Sequence, residues 1–175
     1  MAVQMEMPME KTEAAGSMRV GLGYDSHRFD HQRTLRLCGV EVPNTPGLAG
    51  HSDADCALHA LTDALLGAAG MPDIGELFPP TDERYRGADS TGLLKQALER
   101  IRERHSGFRV VNIDLVIIAE TPRIAPHKPA MRRRLAELLE VDEGAVSLKG
   151  KTNEGMGWVG EAEGIAAWCA VLAAL

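Results

Sequence analysis

The chain has 175 residues, of which 45% are apolar, and a formal net charge of −6. This length fits one domain, and this apolar content is enough for a core that needs no disulfides or other staples. The negative charge argues against binding to nucleic acid or to an anionic membrane surface, and no apolar stretch has the length of a transmembrane helix.

The cysteines and the N-terminal segment bear on where the protein resides. Cys38, Cys56 and Cys169 form no C-x-x-C pair, which suits a reducing compartment. Residues 1–17 lack the long apolar or Arg-rich pattern of a targeting signal and predict a disordered leader before a single domain at 18–175. We therefore expect a cytoplasmic protein.

The first half of the chain alternates strand and helix signals. Val20, Leu22 and Tyr24 alternate with smaller or polar residues, a pattern typical of a strand. The predicted elements are, in order, a strand over 18–24, a strand over 34–42 with a bulge or turn at Gly39, a loop over 43–52, and a helix over 52–70 that begins at Ser52 or Asp53 and stops at Gly70.

The second half continues the mixture of strands and helices. The predicted elements are a loop over 72–88, a helix over 89–107, a strand over 108–120, a Pro-rich connection over 120–130, a helix over 131–140, a strand over 145–151, a Gly-rich loop, and a strand over 164–175. This order predicts the α+β class, with one mixed β-sheet and helices packed on one face.

The segment GYDSHRF places two metal-ligating side chains two residues apart, where the first predicted strand ends. Successive side chains of an extended chain point to opposite faces, so Asp25 and His27 share a face. They can therefore hold one ion between them.

The first predicted helix carries an unusual polar stripe. Asp55, His59, Thr62 and Asp63 fall at i, i+4, i+7 and i+8, without any Lys, Arg or Glu. The helix over 89–107 differs, because its polar face has the long charged side chains of a solvated surface. By themselves, these residues could also form a polar helix face whose side chains happen to be short. His59 could also be a core histidine that is hydrogen-bonded by a neighbouring aspartate.

The two patterns together predict a metal centre. Three N and O ligands with a vacant fourth position are what a catalytic zinc site requires. We predict Asp25, His27 and His59 as the ligands; His51 competes with His59, but a helix is the more rigid mount. The carboxylates expected to orient the histidines are Asp55 or Asp63.

Two loops have compositions that suit a nucleotide. The segment KGKTNEGMGWVG combines lysines, a threonine and Glu154 with glycines, so it can bind phosphate oxygens and a hard cation, or it can be a plain hairpin turn. The Pro-rich segment ETPRIAPHKP exposes backbone that can recognise a base edge, although most such stretches are connectors.

Five segments lie in a specific order and spacing. They are GYDSHRF, HSDADCALHALTDALLGAAGMPDIGELFP, GADS, IIAETPRIAPHKPAM and KTNEGMGWVGEAEGIA. With these segments the chain, from Met18 to its C-terminus, resembles the 2-C-methyl-D-erythritol 2,4-cyclodiphosphate synthase family. The resemblance implies conversion of 4-diphosphocytidyl-2-C-methyl-D-erythritol 2-phosphate into the 2,4-cyclodiphosphate and CMP.

The resemblance also implies a set of site residues. Zinc would be bound by Asp25, His27 and His59, and Glu154 would hold a second divalent cation, Mg²⁺ or Mn²⁺. The residues expected to be catalytic are His51, Lys151 and Glu154. The methylerythritol phosphate end would contact Asp25, His27, His51, Ser52, Asp73 and Gly75. The cytidine diphosphate end would contact Ala119, Arg123, Ile124, Ala125, Gly150, Lys151, Thr152, Asn153 and Glu154.

The family is a homotrimer with active sites between neighbouring subunits, so the same assembly is expected here. The substrate would carry its own nucleophile, because a phosphate monoester with a second pKa of about 6 is largely ionised at neutral pH. Two alternatives remain. One is a phosphodiesterase or pyrophosphatase that uses a metal-activated water. The other is a binding module with a structural metal site, in which His51 is the fourth ligand.

Overall fold

A computed structural model describes residues 17–175, and the predicted leader, apart from Ser17, lies outside them. The β-strands are β1 Met18–Leu37, β2 Val40–Leu48, β3 Arg109–Ile118, β4 Val146–Lys151 and β5 Gly164–Ala174. The α-helices are α1 Cys56–Ala68, α2 Ile74–Leu77, α3 Ser90–Arg104, α4 Lys128–Leu139 and α5 Gly157–Gly160. None of these helices is long and apolar enough to cross a membrane.

The five strands form one mixed sheet in the order β2-β1-β5-β3-β4. Only β3 and β4 are parallel, and the other neighbours are antiparallel. The core lies between one face of this sheet and the helices, with α1 packed across β1 and β5 and α4 against β4. The predicted α+β class with one mixed sheet is confirmed.

Strand β1 is much longer than predicted, because it pairs with two different strands. It pairs with β5 as far as Arg28 and with β2 from Phe29 onwards. The Asp25–His27 pair therefore lies within a continuous strand, just before its pairing changes, and not at a strand end. The predicted turn at Gly39 is present: Cys38 and Gly39 both have positive φ and join β1 to β2 as a two-residue hairpin.

The predicted loop over 43–52 is wrong in its first half, because β2 continues to Leu48. Pro43 and Pro46 lie within this strand. Proline is tolerated there because β2 is at the edge of the sheet, where one side of the strand needs no hydrogen-bond donors.

Helix α1 begins later than predicted. Its N-cap is Asp55, whose side chain accepts a hydrogen bond from the Leu58 N–H, and neither Ser52 nor Asp53 caps it. The preceding Ala54 has a φ of 58°, which lies outside the helical region, so the helix cannot extend further back. The side chains of Ser52 and Asp53 are engaged elsewhere.

The remaining predictions are largely confirmed. Helices α3 and α4 and strands β3 and β4 lie close to the positions that the sequence pattern predicted. The closing segment, whose state periodicity alone does not settle, is the predicted strand, β5. The predicted loop over 72–88 contains the short helix α2 and a 3₁₀ turn at Glu83–Tyr85, and the Gly-rich loop contains α5. Both short helices are about one turn long, which is below what periodicity can detect.

Helix α1 packs unusually close to β1 because two glycines face it. A methyl group built on Gly21 would lie 1.7 Å from the carbonyl oxygen of Ala64, and one on Gly23 would lie 1.9 Å from that of Ala60. No side chain fits in either position. The alternate residues of β1 point to the opposite face, where Val20 and Leu22 are 73% and 63% exposed.

We expect Gly23→Ala to lower the free energy of unfolding by about 3 kcal/mol or more, because its methyl group meets backbone atoms that cannot rotate away. The matched control is Gly92→Ala in α3, where nothing lies within 4 Å of the new methyl group. The control should stabilise the protein by about 0.5–1 kcal/mol. Urea unfolding measures both; a Gly23→Ala protein within about 1 kcal/mol of the wild type contradicts the close packing.

Candidate active site

The structure brings the three predicted metal ligands into one compact triangle. Oδ2 of Asp25 lies 2.9 Å from Nε2 of His27 and 2.9 Å from Nδ1 of His59. The two imidazole nitrogens are 3.3 Å apart. Strand β1 supplies the first two side chains, and α1 supplies the third. Within residues 17–175 these three form the group able to hold a metal ion, and His51 lies outside it.

The electrostatics of the triangle favour an ionised carboxylate. Burial acts to raise the pKa of Asp25, but hydrogen bonds and charge interactions with His27 and His59 outweigh it and hold that pKa well below its usual range. Burial acts in the opposite direction on His27, where it is outweighed by Asp25, so the pKa of that imidazole is raised. An anionic oxygen beside two imidazole nitrogens is a suitable ligand set for a divalent metal ion.

Each ligand histidine is held from behind by a hydrogen bond at its other nitrogen. Nδ1 of His27 lies 2.6 Å from the Ala49 carbonyl oxygen, to which it donates. Nε2 of His59 lies 2.9 Å from Oγ of Ser90 and 3.1 Å from Oγ of Ser52. These contacts fix the ring orientations and leave the opposite nitrogens facing the triangle.

The prediction that Asp55 or Asp63 orients the histidines is wrong. Asp55 is fully buried and accepts hydrogen bonds from three backbone N–H groups: those of Cys38, Gly39 and Leu58, at 3.0, 2.7 and 3.0 Å. It ties the β1–β2 turn to the start of α1. Asp63 accepts the Ile74 N–H at 2.8 Å and so anchors α2. Both carboxylates satisfy backbone donors that would otherwise lack partners.

The triangle lies in a recess of about 380 Å³. Its polar lining includes the predicted His51 and Ser52, and the predicted Gly75 also lines it. The recess is otherwise apolar; this part of its wall is formed by Ile74, Phe78, Pro80, Tyr85 and Leu93. The predicted Asp73 instead caps α2 by accepting the Glu76 N–H at 2.9 Å.

The other predicted residues gather around a second recess of about 210 Å³ between the Pro-rich connection and the end of β4. The predicted residues that line it are Ala119, Arg123, Ile124, Ala125, Gly150, Lys151 and Thr152. Asn153 and Glu154 continue the same loop, where the Thr152 hydroxyl donates to Oε1 of Glu154 at 2.8 Å. This loop was predicted from its lysine, threonine and glycine content.

The loop also depends on Glu120, which the sequence reasoning missed. Oε1 of Glu120 accepts the N–H groups of Asn153 and Gly155 at 2.8 and 3.2 Å. These contacts join the second recess to the turn that carries Glu154. No local signal marks the contact, because Glu120 and Asn153 are 33 positions apart.

The two recesses share no lining residue and lie at the same end of the sheet. The register aligns Ser26 of β1 with Ala166 of β5, Ala166 with Ile118 of β3, and Ile118 with Lys151 of β4. With about 4.8 Å between neighbouring strands, the two recesses are separated by roughly 14 Å across the sheet.

The chain matches the YgbB family model over residues 18–174. The 2-C-methyl-D-erythritol 2,4-cyclodiphosphate synthase of Symbiobacterium thermophilum is 53% identical over 157 residues, which are 90% of this chain and 99% of the relative. The synthase of Gemmatimonas aurantiaca is 51% identical over 148 residues, 85% of this chain and 88% of the relative. A solved structure of such a synthase in its CDP-bound form superposes with a TM-score of 0.80 at 39% identity, covering 89% of this chain and 99% of that one.

We expect the purified chain to bind a divalent transition-metal ion, and His59→Ala to weaken this binding by more than about 100-fold, because one of three ligands is lost. The matched control is His105→Ala, since the His105 ring makes its hydrogen bond to the Ala69 carbonyl at the far end of α1, away from the triangle. Competition with a chromophoric chelator measures the affinity. Equal weakening in both variants would show that the triangle is not the binding site.

Proposed function

The chain belongs to the YgbB family, and from this membership we propose that it converts 4-diphosphocytidyl-2-C-methyl-D-erythritol 2-phosphate into 2-C-methyl-D-erythritol 2,4-cyclodiphosphate and CMP. It is thus a phosphorus–oxygen lyase of non-mevalonate isoprenoid biosynthesis. The observation that carries the proposal is the triangle of Asp25, His27 and His59 on the wall of an open recess.

The reaction requires positioning more than reactive protein groups. An oxygen of the substrate's 2-phosphate attacks the β-phosphorus of the diphosphate, a new P–O bond closes the ring, and the bond from that phosphorus to the bridging oxygen breaks and releases CMP. The attacking phosphate is already ionised near neutral pH, so no general base is needed. The protein must hold the two phosphoryl groups in line and offset their repulsion.

The triangle is slightly smaller than a tetrahedral zinc site. Ligand bonds of about 2.0–2.2 Å at tetrahedral angles place neighbouring ligand atoms about 3.3–3.6 Å apart. The observed separations of 2.9, 2.9 and 3.3 Å require only a small outward movement. Bound zinc would supply a Lewis acid for phosphate oxygens at its fourth position. Among the described residues, the metal-capable group has three members. Three protein ligands favour a site with a free coordination position over a structural site with four protein ligands.

We assign the first recess to the methylerythritol phosphate end of the substrate. Its polar side, with His51, Ser52 and the triangle, suits phosphate oxygens, and its apolar wall suits the methyl-bearing carbon chain. In this assignment His51 offers a ring N–H as a hydrogen-bond donor to the phosphate oxygens as they approach each other. Gly75 borders the recess without a side chain, and Asp73 fixes the start of α2 beside it.

We assign the second recess to the cytidine diphosphate end. Arg123, Lys151 and the loop N–H groups provide positive charge and donors there, and exposed backbone around Ala125 can meet the edge of a base. Glu154 lies on the exposed loop, where its carboxylate can hold Mg²⁺ or Mn²⁺ against diphosphate oxygens.

We propose a homotrimer in which one active site combines the two recesses of neighbouring chains. The outer face of the sheet supports this assembly, because it exposes large apolar side chains that a monomer in water would leave uncovered. They are Val20, Leu22, Tyr24 and Trp168. The rings of Tyr24 and Trp168 are 4.6 Å apart and join β1 to β5 on this face.

We also propose a cytoplasmic location. Cys38, Cys56 and Cys169 are buried free thiols, and burial raises the pKa of Cys169 to about 12. Unpaired thiols of this kind suit a reducing compartment.

The decisive experiment incubates the protein with the cytidyl substrate, Zn²⁺ and Mg²⁺ in water enriched in heavy oxygen. We expect phosphorus NMR to show a cyclic diphosphate together with CMP, with no heavy oxygen in either product, because the attacking oxygen belongs to the substrate. Heavy oxygen in a product phosphate would show hydrolysis by water and would contradict the proposed reaction.

For the assembly, we expect the wild-type chain to sediment as a trimer and Leu22→Arg to sediment as a monomer, because the charge would be buried in an apolar interface. The control, Gln96→Arg, adds the same charge on the exposed face of α3 and should remain trimeric. A trimeric Leu22→Arg protein would place the interface elsewhere.

A further inference from the structure

The far side of His59 has a polar environment that the proposed reaction does not use. Its Nε2 points away from the triangle and lies 2.9 Å from Oγ of Ser90, which is 1% exposed. Ser90 is the first residue of α3, a helix that contributes no metal ligand. The contact therefore joins a third element to a centre built from β1 and α1.

The proton of the Ser90 hydroxyl has a defined destination. Oγ of Ser90 donates a short hydrogen bond to Oδ1 of Asp53. The backbone N–H of Ser90 also donates to both oxygens of that carboxylate, each at 3.2 Å. An ionised carboxylate can only accept, so the hydroxyl proton points to Asp53 and the lone pairs of the hydroxyl oxygen face His59.

This arrangement determines which nitrogen of His59 carries the proton. Because the one hydroxyl proton of Ser90 is engaged in the hydrogen bond to Asp53, its oxygen can only accept a hydrogen bond from the Nε2–H of His59. Ser52, at 3.1 Å from the same nitrogen, does not decide the matter, since its hydroxyl can either donate or accept. The proton on Nε2 leaves the lone pair of Nδ1 directed into the triangle.

We propose that Asp53 and Ser90 are positioning residues for the metal, acting as a carboxylate–hydroxyl–imidazole relay that fixes His59 with Nδ1 as its ligand atom. The inference rests on the metal site of the proposed function. It adds two residues that do not line the recess of the triangle.

The test measures zinc affinity by competition with a chromophoric chelator, in the absence of substrate. Ser90→Ala should weaken zinc binding by about 10- to 100-fold. Asp53→Asn should weaken it less, because the amide oxygen can still accept the hydroxyl proton. The matched control is Thr91→Val, which removes the neighbouring hydroxyl, one that donates to Asp89 and not to His59. It should bind zinc within about threefold of the wild type.

A second readout uses the zinc-loaded wild-type protein and does not depend on any variant. Proton NMR should show the Nε2–H of His59 protected from exchange with water, and this protection should decrease in Ser90→Ala but not in Thr91→Val. An unprotected signal in the wild type would overturn the relay, even if Ser90→Ala fails to fold.

Two further results would overturn the relay. One is a zinc affinity of Ser90→Ala within about threefold of the wild type. The other is a loss of zinc affinity in Thr91→Val equal to that in Ser90→Ala. Failure of the wild-type protein to form the cyclic product would instead contradict the proposed function. It would leave the relay intact, because zinc affinity is measured without substrate.

Discussion

The close contact between β1 and α1 is the constraint on which the site depends. Gly21 and Gly23 allow the carbonyl groups of Ala64 and Ala60 to approach the strand to distances that exclude any side chain. His59 directly precedes Ala60 in α1, so the same approach brings its side chain to the strand, where Asp25 and His27 continue the face that the glycines occupy. Larger residues at the two glycines would move the helix outward. A separation of 2.9 Å between Asp25 and His59 could then not be kept.

The second constraint is the registration of α1 along β1, which Asp55 provides. Buried without exposure to water, this carboxylate accepts N–H groups from both the β1–β2 turn and the first turn of α1. The glycines therefore set the distance between the two elements, and Asp55 sets their relative position along the axis. The histidines need both, because metal sites tolerate errors of only a few tenths of an ångström in ligand position.

Much of this site could be predicted from the sequence, since its ligands follow local rules. Alternation along a strand placed Asp25 and His27 on one face, and helical spacing separated His59 from ordinary surface positions. The residues that hydrogen-bond the ligand histidines could not be predicted. The hydrogen-bond partner of a short polar side chain depends on the tertiary fold, which the local sequence pattern does not show. Asp53 resembled a helix cap but binds Ser90, and Asp55 resembled a metal-orienting carboxylate but caps the helix. Likewise, Pro43 and Pro46 indicated a loop, because the sequence does not show which strand lies at the edge of the sheet.

The charge balance of the centre explains how an acidic chain can accept a polyanion. The protein has a net charge of −6, and its substrate carries a phosphate monoester and a diphosphate. One carboxylate and two neutral imidazoles leave a bound divalent ion with one net positive charge, whereas three carboxylates would make the centre negative. Neutral imidazoles add no charge of their own, and the nitrogen that each one directs at the ion depends on the hydrogen bond at its other nitrogen. The Ala49 carbonyl accepts the Nδ1 proton of His27, and in the proposed relay Ser90 accepts the Nε2 proton of His59. The hydrogen bonds outside the triangle therefore direct a lone pair of each imidazole at the bound ion, which keeps the positive charge that a phosphate oxygen would meet.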